Sequence, residues 1–139
     1  MRHLPLNMHD SYGGMRMAIY AAGLDVEVRS SPSLPGNMMG CYCEATRTIL
    51  IDRRLPYVAK RCVLVHELVH WLHGDEQCGI NETRTRMETA RLLVDRDRYE
   101  IAEAMYDGQP WSIASELELT TQVITDYQQQ LHDSALIER

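Results

Sequence analysis

From Val63 to Leu72 the chain reads Val-Leu-Val-His-Glu-Leu-Val-His-Trp-Leu. Followed turn by turn, this run leaves almost no polar face, and a helix that is apolar all round has to be buried. The polar groups it carries are two imidazoles and a carboxylate, which are costly to bury unless something satisfies them. His66 and His70 are four residues apart and so share one face of the helix. Both can therefore reach one metal ion, with Glu67 beside them, and an ion with its water would satisfy all three. Leu55-Pro56 places a proline at the first helical position. His73-Gly74 places a glycine just past the last turn.

The chemistry of such a run is specific. A catalytic zinc ion takes three protein ligands and keeps one position open for water, whose proton a nearby carboxylate removes. His66 and His70 are expected as ligands and Glu67 as the general base. The third ligand must come from later in the chain. A helix is expected from about Asn81, read as its cap, to Val94, and it offers Glu82 and Glu88. At ~100° per residue, Glu82 falls on the stripe of Arg86, Thr89, Ala90 and Leu93. The small residues of that stripe let a neighbouring helix approach. Glu88 lies far from Leu93 on the wheel, so Glu82 is favoured. Asp75, Glu76 and Cys78 are fallbacks in what reads as a polar turn. His73 is about 10 Å along the axis from His66, too far to share its ion. It reads as a residue placed at the negative end of the helix dipole.

The rest of the chain frames this helix. Residues 8–22 read as a helix ending at Gly23, and 24–29 (LDVEVR) alternate as a strand does. Ser30 to Gly40, with two prolines and two glycines, reads as a loop. Cys41 to Asp52 reads as one or two strands, and acidic amphipathic helices follow Val94, broken at Gly108-Gln109-Pro110. At 139 residues a single domain is expected. Its parts are 1–52 (helix and sheet), 54–95 (metal-site helices) and 97–139 (helical tail). No apolar run approaches the ~20 residues that span a bilayer, and the first residues lack a secretory pattern. Cytoplasmic location is therefore expected, with Cys41, Cys43 and Cys62 as thiols and Cys78 set apart by its place between His70 and the candidate third ligand. Net charge is −6, and residues 100–139 carry a single base, Arg139. The stretch Thr120 to Gln130 reads like a recognition helix but holds no Lys or Arg, so direct nucleic-acid binding is not expected.

Three segments resemble the ImmA/IrrE family of small metallopeptidases, many of them encoded by phages and mobile elements. The first is Ile49 to Gly74, ILIDRRLPYVAKRCVLVHELVHWLHG. The second is Glu82 to Val94, similar to the family's Glu-x-x-Ala-Asp/Asn-x-x-Ala-Ala-x-x-Leu-Leu pattern. The third is Ile113 to Leu117 with Thr120 to Leu131. The resemblance implies zinc ligands at His66, His70 and Glu82 and a catalytic glutamate at Glu67. It also implies a substrate, a DNA-binding repressor with a helix-turn-helix head. The chain departs from the pattern at Arg86, where Asp or Asn is usual. Arginine cannot accept a hydrogen bond to orient a ligand histidine, and it can pair with Glu82 at i,i+4 and compete with the metal. Thr85 and Thr89 replace alanines, and Asp95 stands where proline is common.

The expected protein is an α+β zincin-like domain with a small antiparallel sheet packed on the buried motif helix and a helical C-terminal part. The expected activity is that of an endopeptidase using one Zn²⁺ ion. Tyr57, His73, Tyr99 and Tyr106 are open choices for an additional oxyanion donor, and an extended substrate is expected to join a sheet edge near 41–50. The rival expectation is a protein that sequesters a repressor without cutting it. Oligomeric state is not legible.

Overall fold

The computed structural model describes residues 2–76 and 79–137. Helix α1 (Tyr12–Ala21) starts where the Ser11 side chain accepts the Gly14 N–H. It buries Tyr12, Met15 and Ile19, the spacing of one helical face. Strands β1 (Glu27–Ser31), β2 (Gly40–Cys43) and β3 (Thr48–Asp52) follow, in the sheet order β1-β3-β2. β3 takes the centre because it is the most apolar strand, with Ile49 and Ile51 wholly inaccessible.

The sheet corrects one expectation. β2 and β3 form the antiparallel pair, but β1 runs parallel to β3, Glu27 opposite Thr48 and Ser31 opposite Asp52. The Pro- and Gly-containing loop 32–39 carries the chain past the β3 position, and the turn after Cys43 brings β3 back between its neighbours. The sheet is therefore mixed. β2 is an edge strand, whereas β3 is paired on both sides. Of the stretch 41–50, only the β2 part is an edge that an extended peptide can join.

Helix α2 (Tyr57–His73) packs on β2, β3, α1 and α3 (Glu82–Leu93). Pro56 stands at its N-cap, one residue outside the helix, and Gly74 ends it in the left-handed conformation at φ 63°. Leu64, Val65, Leu68 and Val69 are fully inaccessible. Burial of each such side chain is worth about 1.5–3 kcal/mol. Arg61 is also buried and donates to the carbonyls of Met8 (2.9 Å) and Glu118, tying α2 to the segment before α1 and to a turn late in the chain. Against α2, helix α3 turns Thr85, Thr89, Ala90 and Leu93 inward, so that the two helices approach closely.

Helices α4 (Arg96–Met105), α5 (Pro110–Leu117) and α6 (Thr121–Ile137) complete the described fold. Asp95, where proline had been the family habit, accepts the N–H groups of Asp97 and Arg98 and caps α4. The stretch that reads like a recognition helix lies mostly in α6. It buries Val123 and Ile124 and packs on α3 and α5. Among the described residues no disulfide forms, and Cys78 lies outside them. No described helix is long and apolar enough to cross a membrane.

Candidate metal centre

Glu82 opens α3 and reaches both histidines of α2. Its Oε1 lies 2.8 Å from His70 Nε2 and its Oε2 lies 3.1 Å from His66 Nε2. The two rings stand edge to face with centroids 5.1 Å apart. His66, Glu67 and His70 also offer ligand atoms within 4.8 Å of one another. Glu88, the other candidate on α3, points elsewhere: both its oxygens meet His73 Nε2, at 3.0 and 2.9 Å, on the surface.

Behind His70 stands Asp75. Its Oδ2 is 2.7 Å from His70 Nδ1 and also accepts from Arg84 Nη2, while its Oδ1 accepts from Asn81 Nδ2 at 3.0 Å. Burial raises the Asp75 pKa, but the bonds from His70 and Asn81 and the charge of Arg84 outweigh it and leave the group below its ordinary value. Asp75 is thus an anionic acceptor behind His70, where the sequence offered it as a fallback ligand. Asn81 was expected to cap α3. It instead adopts φ 57° with no side-chain cap and spends its amide on Asp75.

This arrangement fits a cation. An Asp75 acceptor on Nδ1 keeps that nitrogen protonated and turns the Nε2 lone pair of His70 toward Glu82. A lone pair facing a carboxylate oxygen at hydrogen-bond distance repels it unless a proton or a cation lies between. Two imidazole nitrogens and one carboxylate so arranged are the donor set of a catalytic zinc site. Burial holds the His66 pKa below its ordinary value against the pull of Glu82. That favours the neutral, ligating form. Asp75→Ala is expected to weaken zinc binding by about 10–100-fold, measured by competition with a chromophoric chelator. Unchanged affinity would remove Asp75 from the centre.

Glu67 is 6% exposed and makes no hydrogen bond among the described residues. Burial, reinforced by the charge of Glu82, pushes its pKa up to about 7. A carboxylate poised there is suited to take and return a proton near neutrality.

The centre opens into a cleft of about 520 Å³. One wall is the segment Asn37 to Gly40 leading into β2; the floor holds His66 and Glu67; the other wall is α3 with α6. Gly40 is what lets the strand approach the floor. A Cβ there would stand 2.5 Å from Val63 Cγ1 and 3.2 Å from Glu67 Cγ. Its neighbours are set by the tertiary fold, and no local signal separated it from the other loop glycines. Arg86 does not pair with Glu82. Its Nε and Nη2 donate to Asp126 of α6 at 3.1 and 2.6 Å, so the feared competitor for the metal is held aside. None of the four oxyanion choices lines the cleft. Tyr57 is exposed, Tyr99 donates to Glu103, Tyr106 donates to Glu116, and His73 is taken by Glu88.

A zincin-like α+β scaffold, with two helix-borne imidazoles and carboxylates from two helices at the head of a cleft, defines a protein of the metallopeptidase type. Residues 21–137 match the IrrE N-terminal-like domain family, peptidase M78, and the chain belongs to it. No curated protein and no solved structure matches the chain.

Proposed function

We propose that the chain is a zinc-dependent endopeptidase, with His66, His70 and Glu82 as metal ligands and Glu67 as the general base. The observation that carries this reading is the Glu82 carboxylate lying within 3.1 Å of both Nε2 atoms. The chemistry zinc supplies when bound is polarisation of the peptide carbonyl and acidification of an adjacent water toward a pKa of about 7. Glu67 takes the proton from that water and delivers it to the departing amine. Asp75 holds the His70 ring in the tautomer that ligates through Nε2. The edge of β2 offers backbone groups to an extended substrate, and Gly40 sets it close to Glu67.

For the substrate we propose a helix-turn-helix repressor, cleaved in the cytoplasm. The family resemblance supports this choice, and the lack of Lys and Arg from Thr120 to Gln130 supports a protein substrate over direct DNA contact. The rival, a binder that sequesters without cutting, drew its support from Arg86 displacing the metal. Arg86 is engaged with Asp126 instead. The test is to incubate the zinc-loaded protein with a purified repressor of this class and identify fragments by mass spectrometry. Discrete fragments that vanish with a chelator and return with zinc are expected. Tight binding with an intact repressor would favour the rival.

A further inference from the structure

The two walls of the cleft differ. On one side lies the edge strand β2; on the other lie Glu82, Arg86 and Asp126 on α3 and α6. A peptide laid along β2 turns about half of its carbonyls toward the strand and the rest away from it. Those facing away meet the helical wall and need donors there.

Arg86 is the only cation among the described residues that line the cleft. It follows Glu82 by one helical turn. Its side chain is 43% exposed, whereas the Asp126 side chain that holds it is 7% exposed. Asp126 in turn accepts Gln122 Nε2 at 3.0 Å. A guanidinium has five N–H groups. Asp126 occupies Nε and one hydrogen of Nη2, and the others take no partner among the described residues. The edge of the group facing Asp126 is clamped, and its remaining N–H groups are free to bind a ligand in the cleft that Arg86 lines. Other donors on this wall are engaged: Gln122 serves Asp126, and Thr89 Oγ1 donates to the Thr85 carbonyl at 2.7 Å. Asp126 offsets the Arg86 charge, and Glu67 and Glu82 face the same space. An acidic substrate side chain therefore gains little there, while a neutral carbonyl oxygen gains a fixed donor.

We propose that Arg86 is a substrate-binding residue that donates hydrogen bonds to a main-chain carbonyl of the bound peptide on the side away from β2. This rests on the metallopeptidase reading above. It implies binding that depends on the peptide backbone and little on side-chain charge.

The test is calorimetric titration of the zinc-loaded protein with two probes. A tripeptidyl hydroxamate reaches the metal and the cleft; acetohydroxamate reaches the metal alone. Arg86→Ala is expected to weaken the tripeptidyl probe by about 10–100-fold and leave acetohydroxamate unchanged. Arg86→Lys is expected to restore part of the loss. The double variant Arg86→Met with Asp126→Leu removes the donor without stranding a buried carboxylate, and it serves if Arg86→Ala does not fold. Equal tripeptidyl affinity in wild type and variant would overturn the proposal. So would a parallel loss for acetohydroxamate, which would place Arg86 in the metal centre. If the wild type binds neither probe, the metal centre itself is misassigned and this proposal falls with it.

Discussion

Replacing Glu67 by Gln is expected to slow peptide hydrolysis by orders of magnitude while the metal stays bound. The substitution keeps the shape of a side chain that is 6% exposed and set against Gly40, so the packing of α2 is preserved. It removes the group that accepts a proton. General-base catalysis contributes about 10²–10⁴-fold, and kcat is expected to fall by that factor. His66, His70 and Glu82 are untouched, and zinc content measured by elemental analysis should equal that of the wild type. Amide for carboxylate also removes the charge that burial makes costly, so thermal stability should hold or rise. A variant that cleaves within a few-fold of wild type would take Glu67 out of the mechanism. A variant that loses its zinc would make Glu67 a ligand, which its distance to both imidazoles leaves open to measurement.

Glu82→Ala is expected to strip the centre of zinc, and Glu88→Ala is expected to leave it loaded. Both residues belong to α3, both are glutamates, and the sequence offered both. Glu82 meets His66 and His70, whereas Glu88 meets His73. Loss of a direct ligand should cost more than the about 10–100-fold that loss of an orienting partner costs. Equilibrium dialysis against zinc at matched pH measures it. Equal metal content in the two variants would remove Glu82 as the third ligand. Both variants remove one carboxylate from the same helix, so net charge changes identically in each.

Much of this centre was legible because its signal is local. The i,i+4 spacing of His66 and His70 needs only the pitch of a helix, and the apolar run around them demands burial wherever the helix packs. Glu82 was legible more weakly, from the small-residue stripe it shares with Thr89 and Ala90. Asp75 was misread as turn polarity. Its position depends on the chain folding back after Gly74 to place a carboxylate behind His70, and no periodicity encodes that return. Arg86 was misread for the converse reason. Its local partner at i−4 is Glu82, but Asp126 lies 40 positions away in sequence, and it won by offering two oxygens to a planar fork. The strand order was hidden likewise: adjacency in sequence suggests hairpins, whereas β3 entered the centre because it buries the most apolar surface.

By itself, then, the order of residues determined which helix must be interior, which imidazoles it carries on one face, and which glutamate travels with them. Those are consequences of bond geometry and of the aversion of apolar groups for water, both acting over a few turns. Tertiary structure alone decided which carboxylate stands behind His70, where the strand edge lies and what restrains Arg86. Each of these is a contact between segments far apart in the chain. Its outcome depends on which of several chemically equivalent groups the folded core brings within about 3 Å.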